Sequence, residues 1–280
     1  HGLSLVEEPM YLPVIDEHTL VVATTRWGKT MLFRTLIQQA IARGDAVFVI
    51  DPKGDRGLRE TVKSAAAKTG KRAFIFDTAR PSESIILDPM TNWNEATELA
   101  TRVSALLARG SRDQAFTSFA FAQLTNVIHG IHLVGKRATL VRLKRCFDGG
   151  LEQLVIDAIT AYCNTVLETG WDKSLENYRR AVFAQSKRKD PEEEYGHRAL
   201  TPEQEAKALI KFYQEVVSGR KASPELDGLI TTYVHPRDHF QKMIQALMPI
   251  LTKLTSGPLA ELMSSDERTN DDGRTITDTA

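Results

Sequence analysis

Three short stretches near the start of the chain are continuously apolar. They are residues 19–23 (Thr-Leu-Val-Val-Ala), 46–50 (Ala-Val-Phe-Val-Ile) and 73–76 (Ala-Phe-Ile-Phe). Runs this short, rich in β-branched and aromatic residues, predict strands covered on both faces in a parallel sheet. Between the first two, Met31, Leu32, Leu36, Ile37, Ala40 and Ile41 recur at helical spacing, which predicts a helix over 29–43 stopped by Gly44. A second helix is predicted over 55–68 and ends before Gly70. The order β-α-β-α-β is that of an α/β doubly wound domain.

Beyond Pro89 only the helical period remains. Asn92 is a candidate cap for a helix with Ala96, Leu99, Ala100, Val103, Leu106 and Leu107 on one face. Further helices are predicted over about 112–133 and 151–167 and, with a Pro249 kink, over about 237–255. Thr201-Pro202-Glu203-Gln204 is a capping box with Pro at the first helical position, and Ser223-Pro224 opens a helix in the same way. No strand pattern occurs between 92 and 260, so this part is expected to be all-helical. Residues 264–280 are polar, with a turn at Asp271-Asp272-Gly273.

Composition narrows the function classes. With 280 residues, 42% hydrophobic and 26% charged, the chain is long enough for about two globular domains. Lys and Arg number 36 against 36 Asp and Glu, which excludes a globally basic nucleic-acid binder and confines such contacts to local patches. Two cysteines, Cys146 and Cys163, form neither a disulfide framework nor a zinc spacing, and fit a reducing compartment as small core residues. No apolar run approaches the roughly 20 residues needed to cross a bilayer, and no signal peptide is visible. The chain starts at His1 and stops at Ala280 within a polar run, so the natural product is expected to extend at both ends.

The strongest chemical signal is Ala23-Thr24-Thr25-Arg26-Trp27-Gly28-Lys29-Thr30, a Walker A phosphate loop with Ala in place of its first Gly. Backbone amides from Thr25 to Thr30 wrap a β-phosphate at a helix N-terminus, and Gly28 lets the backbone approach closely. Lys29 reaches the β- and γ-phosphates, and the Thr30 hydroxyl is placed to ligate Mg²⁺. Chance gives roughly 0.02 such matches in a chain this long. Trp27 either stacks on a base or a neighbouring subunit, or packs under the loop. Asp51-Pro52-Lys53-Gly54-Asp55 follows the second apolar run. Asp51 is either an acid that orients Mg²⁺ through water or the residue that begins a turn and caps the next helix.

The phosphate loop, followed by a helix, Gly44-Asp45 and Asp51-Pro52-Lys53-Gly54-Asp55, resembles the TraD/TraG conjugative coupling proteins, relatives of the FtsK/HerA DNA-pumping ATPases. The likeness continues in Asp88-Pro89-Met90, in Glu98-Leu99-Ala100-Thr101-Arg102 and in the run from Leu254 through Thr255-Ser256-Gly257-Pro258 to Leu262. It is nearest to the TraD type of integrative conjugative elements. The resemblance implies an α/β fold, a RecA-like P-loop parallel sheet, partial here, interrupted by an all-alpha domain. Residues 1–91 would be the leading part of the nucleotide-binding domain, 92–235 the helical insertion, and 236–280 the return to the truncated first domain. It also implies ATP and Mg²⁺ as cofactors, a Walker B strand after the insertion and beyond this chain, and a separate nucleotide-adjacent role for Asp51. The parent would form a homo-hexamer at the cytoplasmic side of the bacterial inner membrane. Its ATP hydrolysis would deliver single-stranded DNA and its relaxase to a type IV secretion channel.

Two other classes fit the same residues. One is a P-loop kinase whose helical insertion is a substrate lid, with Asp51 as its acid; the other is a non-catalytic helical module that binds the relaxosome. Two basic clusters are candidate nucleic-acid contacts, the favoured one being Lys136, Arg137 and Arg142 with Lys144 and Arg145. In the other, Arg179, Arg180 and Lys187-Arg188-Lys189 precede Asp190 and Glu192-Glu193-Glu194, whose charge cancels much of the field. Solvated helix faces are the competing reading for both. Of the histidines, His235 and His239 have a four-residue spacing, but Pro236 lies between them and no metal-site partner accompanies them.

Overall fold

A computed structural model describes residues 18–22, 24, 27–108, 114–186, 200–235 and 237–263. Eleven α-helices are present among them, with one 3₁₀ turn at Pro81–Glu83 and a π-helical turn at Tyr213–Val217. The chain divides into two compact units, residues 1–85 and 86–280.

In the first unit, α1 (Lys29–Arg43) packs on α2 (Arg56–Lys68). Ile37 and Ile41 of α1 bury against Ala65 of α2, with Val47, Leu58 and Val62 around them. Gly44 ends α1 at φ 101°, a left-handed value that only glycine adopts without strain, and its amide returns to the Ile41 carbonyl. Asp55 caps α2 by accepting the Leu58 amide at 2.8 Å.

The expected sheet is not there. Among the described residues no strand forms, and the fold is all-helical instead of α/β with a RecA-like P-loop parallel sheet interrupted by an all-alpha domain. The three apolar runs lie outside any helix and close no ladder. Leu20 and Val22 are 87% and 84% exposed, and Phe48 and Ile50 are 93% and 94% exposed. The apolar run signals that side chains favour burial, whereas a strand exists only where a neighbouring backbone lies about 4.8 Å away to accept its hydrogen bonds. The third run instead accepts a backbone bond from a following loop, Ile85 N–H to the Ile75 carbonyl at 2.9 Å. At the next position the Ser84 hydroxyl accepts the Asp77 amide at 2.7 Å.

The second unit is built around α4 (Gln114–Leu133), which packs against α3 (Ala96–Ala108), α6 (Glu152–Val166) and α9 (Pro224–Val234). Ala120, Leu124, Val127, Ile128 and Ile131 of α4 are buried, as the helical spacing predicts. Around this centre, α5 (Leu140–Gly149) packs on α10 (Arg237–Leu254), and α7 (Asp172–Ser186) on α8 (Pro202–Phe212). Met243, Leu247 and Leu251 carry α10 into the same core, and α11 (Gly257–Met263) follows. The Thr201–Gln204 capping box and the Ser223 cap both form. Asn92 is not the cap expected for α3. It takes a left-handed φ of 51° in the segment before the helix, which starts at Ala96.

The approach of α4 and α9 depends on a glycine from each helix. A Cβ on Gly130 of α4 would lie 2.8 Å from Leu229 Cδ2, and one on Gly228 of α9 would lie 2.5 Å from Asn126 Oδ1. Beside them the Asn126 amide donates to the buried Thr232 hydroxyl at 3.0 Å. Near the C-terminal end of α4, the His132 ring stacks on Trp93, 4.6 Å between centroids at 4°. Its Nε2 is buried without a hydrogen-bond partner. Burial, and secondarily the neighbouring His129, hold the His132 pKa below 6.5.

Gly130→Ala is expected to lower stability by about 1–3 kcal/mol through overpacking against Leu229. Urea unfolding with an unchanged m-value checks it. His132 is neutral in the fold and charges more readily when unfolded, so its contribution is complete above pH 6.5 and declines as pH falls towards its lowered folded value. His132→Phe is expected to flatten the stability–pH curve below 6.5, measured by denaturant midpoints across that range.

Candidate functional site

Gly28 is the N-cap of α1, at φ 77° and ψ 9°, and Lys29 and Thr30 are the first two helical residues. A left-handed residue here turns the chain directly into the helix, a conformation that glycine adopts at no steric cost. A glycine cap has no side chain to satisfy the first amides, and the first turn of α1 carries no acidic residue. The helix N-terminus thus has neither a side-chain cap from Gly28 nor an acidic residue in its first turn, an arrangement that suits an anion. Lys29 and Thr30 are exposed, and Trp27 is 80% exposed. Trp27 is thus not packed under the loop. Thr25 and Arg26, the other residues expected to line the phosphates, lie outside the described residues.

The Asp51–Asp55 turn is organised by its own side chains. Asp51 Oδ1 accepts the Lys53 amide at 3.0 Å, its Oδ2 accepts the Asp55 amide, and its carbonyl accepts the Gly54 amide at 3.2 Å. Gly54 takes φ 68°, and Asp55 then caps α2. Asp51 therefore begins a turn of the Asx kind. Its carboxylate retains lone pairs for a metal-bound water, since each oxygen accepts only one of these amides. The turn forms one wall of a cavity of about 510 Å³. Val47 and Phe74 give the cavity apolar surface, while Asp51, Lys53 and the ion-paired Arg59 and Asp77 supply charge. Gly28, Lys29 and Thr30 are not among its described walls.

The favoured basic cluster sits in α5 and the loop before it, and much of it is engaged within the protein. Arg137 Nη2 meets Asp88 Oδ2 at 2.9 Å, and the Asp88 side chain is only 4% exposed. Lys136 lies 4.0 Å from Asp157, Arg142 donates to the Arg137 carbonyl, and Lys144 pairs with Asp148. Lys136 and Arg137 still show about half of their side chains to solvent. In the other cluster Arg179 forks onto Glu205 and Arg180 pairs with Glu176, while Lys187, Arg188 and Lys189 lie outside the described residues.

Asp88-Pro89-Met90 and Arg102 belong to one hydrogen-bonded knot that the sequence shows only as separate short matches. Asp88 Oδ1 accepts the Met90 amide at 2.9 Å while its other oxygen holds Arg137. Arg102 of α3 donates to the carbonyls of Pro89, Thr91 and Asn92 at 2.9, 2.6 and 2.7 Å. One planar guanidinium thus satisfies three carbonyls of an irregular segment that has no ladder of its own.

Burial pushes both thiols up, Cys163 to about 11, and keeps them protonated at neutral pH. The His235 ring packs against Phe119 at 5.2 Å, and the His239 side chain lies outside the described residues. Among the described residues no group of three His, Cys, Asp or Glu side chains is placed to hold a metal, and no helix is long and apolar enough to cross a membrane. Comparison with protein families, with curated proteins and with solved structures finds no match to this chain.

Arg137→Ala leaves the Asp88 carboxylate buried with one charge partner fewer. It is expected to cost about 1–3 kcal/mol, against no more than about 0.5 kcal/mol for the more exposed Lys136→Ala. Urea unfolding of both variants checks the contrast.

Proposed function

We propose that residues 24–30 and the start of α1 bind the phosphates of ATP with Mg²⁺, and that the chain is part of a conjugative coupling protein that moves single-stranded DNA. One observation carries the reading: a left-handed Gly28 leads at once into Lys29 and Thr30, at the head of a 15-residue helix free of acidic side chains in its first turn. Lys29 is the cation for the β- and γ-phosphates, and the Thr30 hydroxyl is the metal ligand. Bound Mg²⁺ supplies charge neutralisation for the transferred phosphoryl group. Asp51 organises the Asp51–Asp55 turn, and the sequence resemblance gives it a separate role next to the nucleotide. The reading rests on the loop and its helix, not on a parallel sheet.

The rest of the proposal follows from the sequence resemblance. The parent works as a homo-hexamer on the cytoplasmic side of the inner membrane. It passes DNA with its relaxase to a type IV secretion channel, and exposed parts of Lys136, Arg137 and Arg142 contact the strand. The relaxosome-binding module remains a second reading, favoured by the large core of the helical unit compared with that of residues 1–85.

Calorimetric titration of the chain with Mg·ATP is expected to show saturable binding, and Lys29→Ala to weaken it at least tenfold, or about 1.4 kcal/mol. Turnover stimulated by single-stranded DNA in a longer chain supports the motor. Unchanged affinity in Lys29→Ala overturns the phosphate-loop assignment, and phosphorylation of a small acceptor overturns the motor in favour of a kinase.

A further inference from the structure

On the inner face of α1, Arg34, Ile37 and Ile41 fall at i, i+3 and i+7 and share one side of the helix. The last two are apolar and buried, whereas the first is a guanidinium in an apolar stripe. Its Nε donates to Thr61 Oγ1 of α2 at 2.7 Å. Thr61 is only 3% exposed, and its hydroxyl donates in turn to the Gly57 carbonyl at 2.8 Å. The hydroxyl is thus saturated in both senses, one bond received and one given.

Gly57 makes room for this contact. A Cβ there would sit 3.2 Å from Asp55 Oδ1 and 3.5 Å from Arg34 Nη1. The guanidinium and the carboxylate that caps α2 therefore flank the same small space, and any larger residue at 57 would press on both. Asp55 is tied back through its amide to the carboxylate of Asp51. A continuous run of contacts leads from the helix that begins at Lys29, through Arg34, Thr61, Gly57 and Asp55, to Asp51.

We infer that Arg34 and Thr61 are positioning residues that hold the phosphate-loop helix in register with the Asp51–Asp55 turn, so that nucleotide at Lys29 and Thr30 is felt at Asp51. The inference rests on the phosphate-loop reading. Neither residue touches the phosphates; both act through the placement of α1 against α2. A single directional bond suits that task better than another aliphatic contact, because apolar packing allows a helix to slide or rotate by small amounts while a hydrogen bond does not. Arg is also the better donor here, since its Nε addresses Thr61 while its Nη1 borders the same Gly57 space as Asp55 Oδ1.

The test uses the chain with Mg·ATP as probe, reading affinity by calorimetry and backbone hydrogen exchange over residues 51–60 with and without the nucleotide. In the wild type, Mg·ATP is expected to slow exchange at the amides of Lys53, Asp55 and Leu58. Thr61→Val, which keeps the shape and removes the hydroxyl, is expected to weaken Mg·ATP binding about fivefold and to abolish the nucleotide-dependent protection. Thr61→Ser restores both, an outcome that a purely packing role for the Thr61 methyl would not produce. Arg34→Lys, which keeps the charge but loses the fork, repeats the Thr61→Val result and serves if the valine variant does not fold. Variants that bind and protect like the wild type overturn the inference while leaving the phosphate loop intact. A wild type that does not bind Mg·ATP overturns the phosphate-loop reading, and this inference with it.

Discussion

Gly130 of α4 and Gly228 of α9 each remove a Cβ where the other helix presents a side chain, and the helical unit is arranged around the close approach this allows. Brought together at that distance, the two helices leave part-buried Asn126 and buried Thr232 facing each other, and the Asn126 amide donates to the Thr232 hydroxyl. With α9 held on one side, the remaining apolar faces of α4 are covered by α3 and α6, and its residues at the core spacing lose essentially all contact with water. Each such Leu or Ile contributes about 1.5–3 kcal/mol when fully buried. The helices packed further out, α5 with α10 and α7 with α8, extend the same core.

Charged groups enter this unit where regular structure stops. Residues 87–95 have neither helix nor ladder, and their backbone carbonyls need donors from elsewhere. Arg102 supplies three from one rigid group, and Asp88 reverses the pattern by accepting from a backbone amide and from Arg137. The left-handed Asn92 is held in that strained region by the bond its carbonyl makes to Arg102. The same logic explains why a cluster that reads as a nucleic-acid patch is partly structural. An arginine beside a loop can neutralise a buried carboxylate as readily as a phosphate, and the linear sequence does not say which anion lies within reach.

Most of the helices of both units were legible because a 3.6-residue period of apolar positions is a local signal that survives any tertiary arrangement. The limits of α1 and the buried positions of α4 follow from spacing alone. The turn at Gly28 was legible too, since the residue takes a left-handed φ at the position where the sequence pattern puts its glycine. The sheet was misread because pairing is not local: Phe48 and Ile50 have strand composition, yet their backbone has no partner strand among the described residues. Arg34 and Thr61 passed unnoticed, and Asp88 and Arg102 stood out only as parts of separate short matches, for a related reason. Each bonds a residue 10 or more positions away, 27 in the case of Arg34 and Thr61 and 49 for Asp88 and Arg137. The helix α5 was hidden by its charge, since only Leu140, Leu143 and Phe147 of its ten residues are buried.

The two units also differ in how their helices are fixed, and the difference bears on the phosphate loop. Large apolar side chains that remain exposed are concentrated in residues 20–76, including Trp27, Met31, Phe48 and Phe74, whereas few are found in the helical unit. The packing between α1 and α2 rests on a handful of aliphatic groups, so burial sets their approach only loosely. In such a small interface one buried hydrogen bond, worth about 0.5–1.5 kcal/mol net and more with a charged donor, is comparable to a whole side-chain contact. Direction therefore matters more than area. The Arg34–Thr61 bond fixes the rotation of α1 about its axis, and that rotation decides where the amides after Gly28 point. In the proposed reading of residues 24–30, a residue on the inner face of the helix thus positions a site at the helix end, and the polar interruption of an otherwise apolar stripe is the mark it leaves in the sequence.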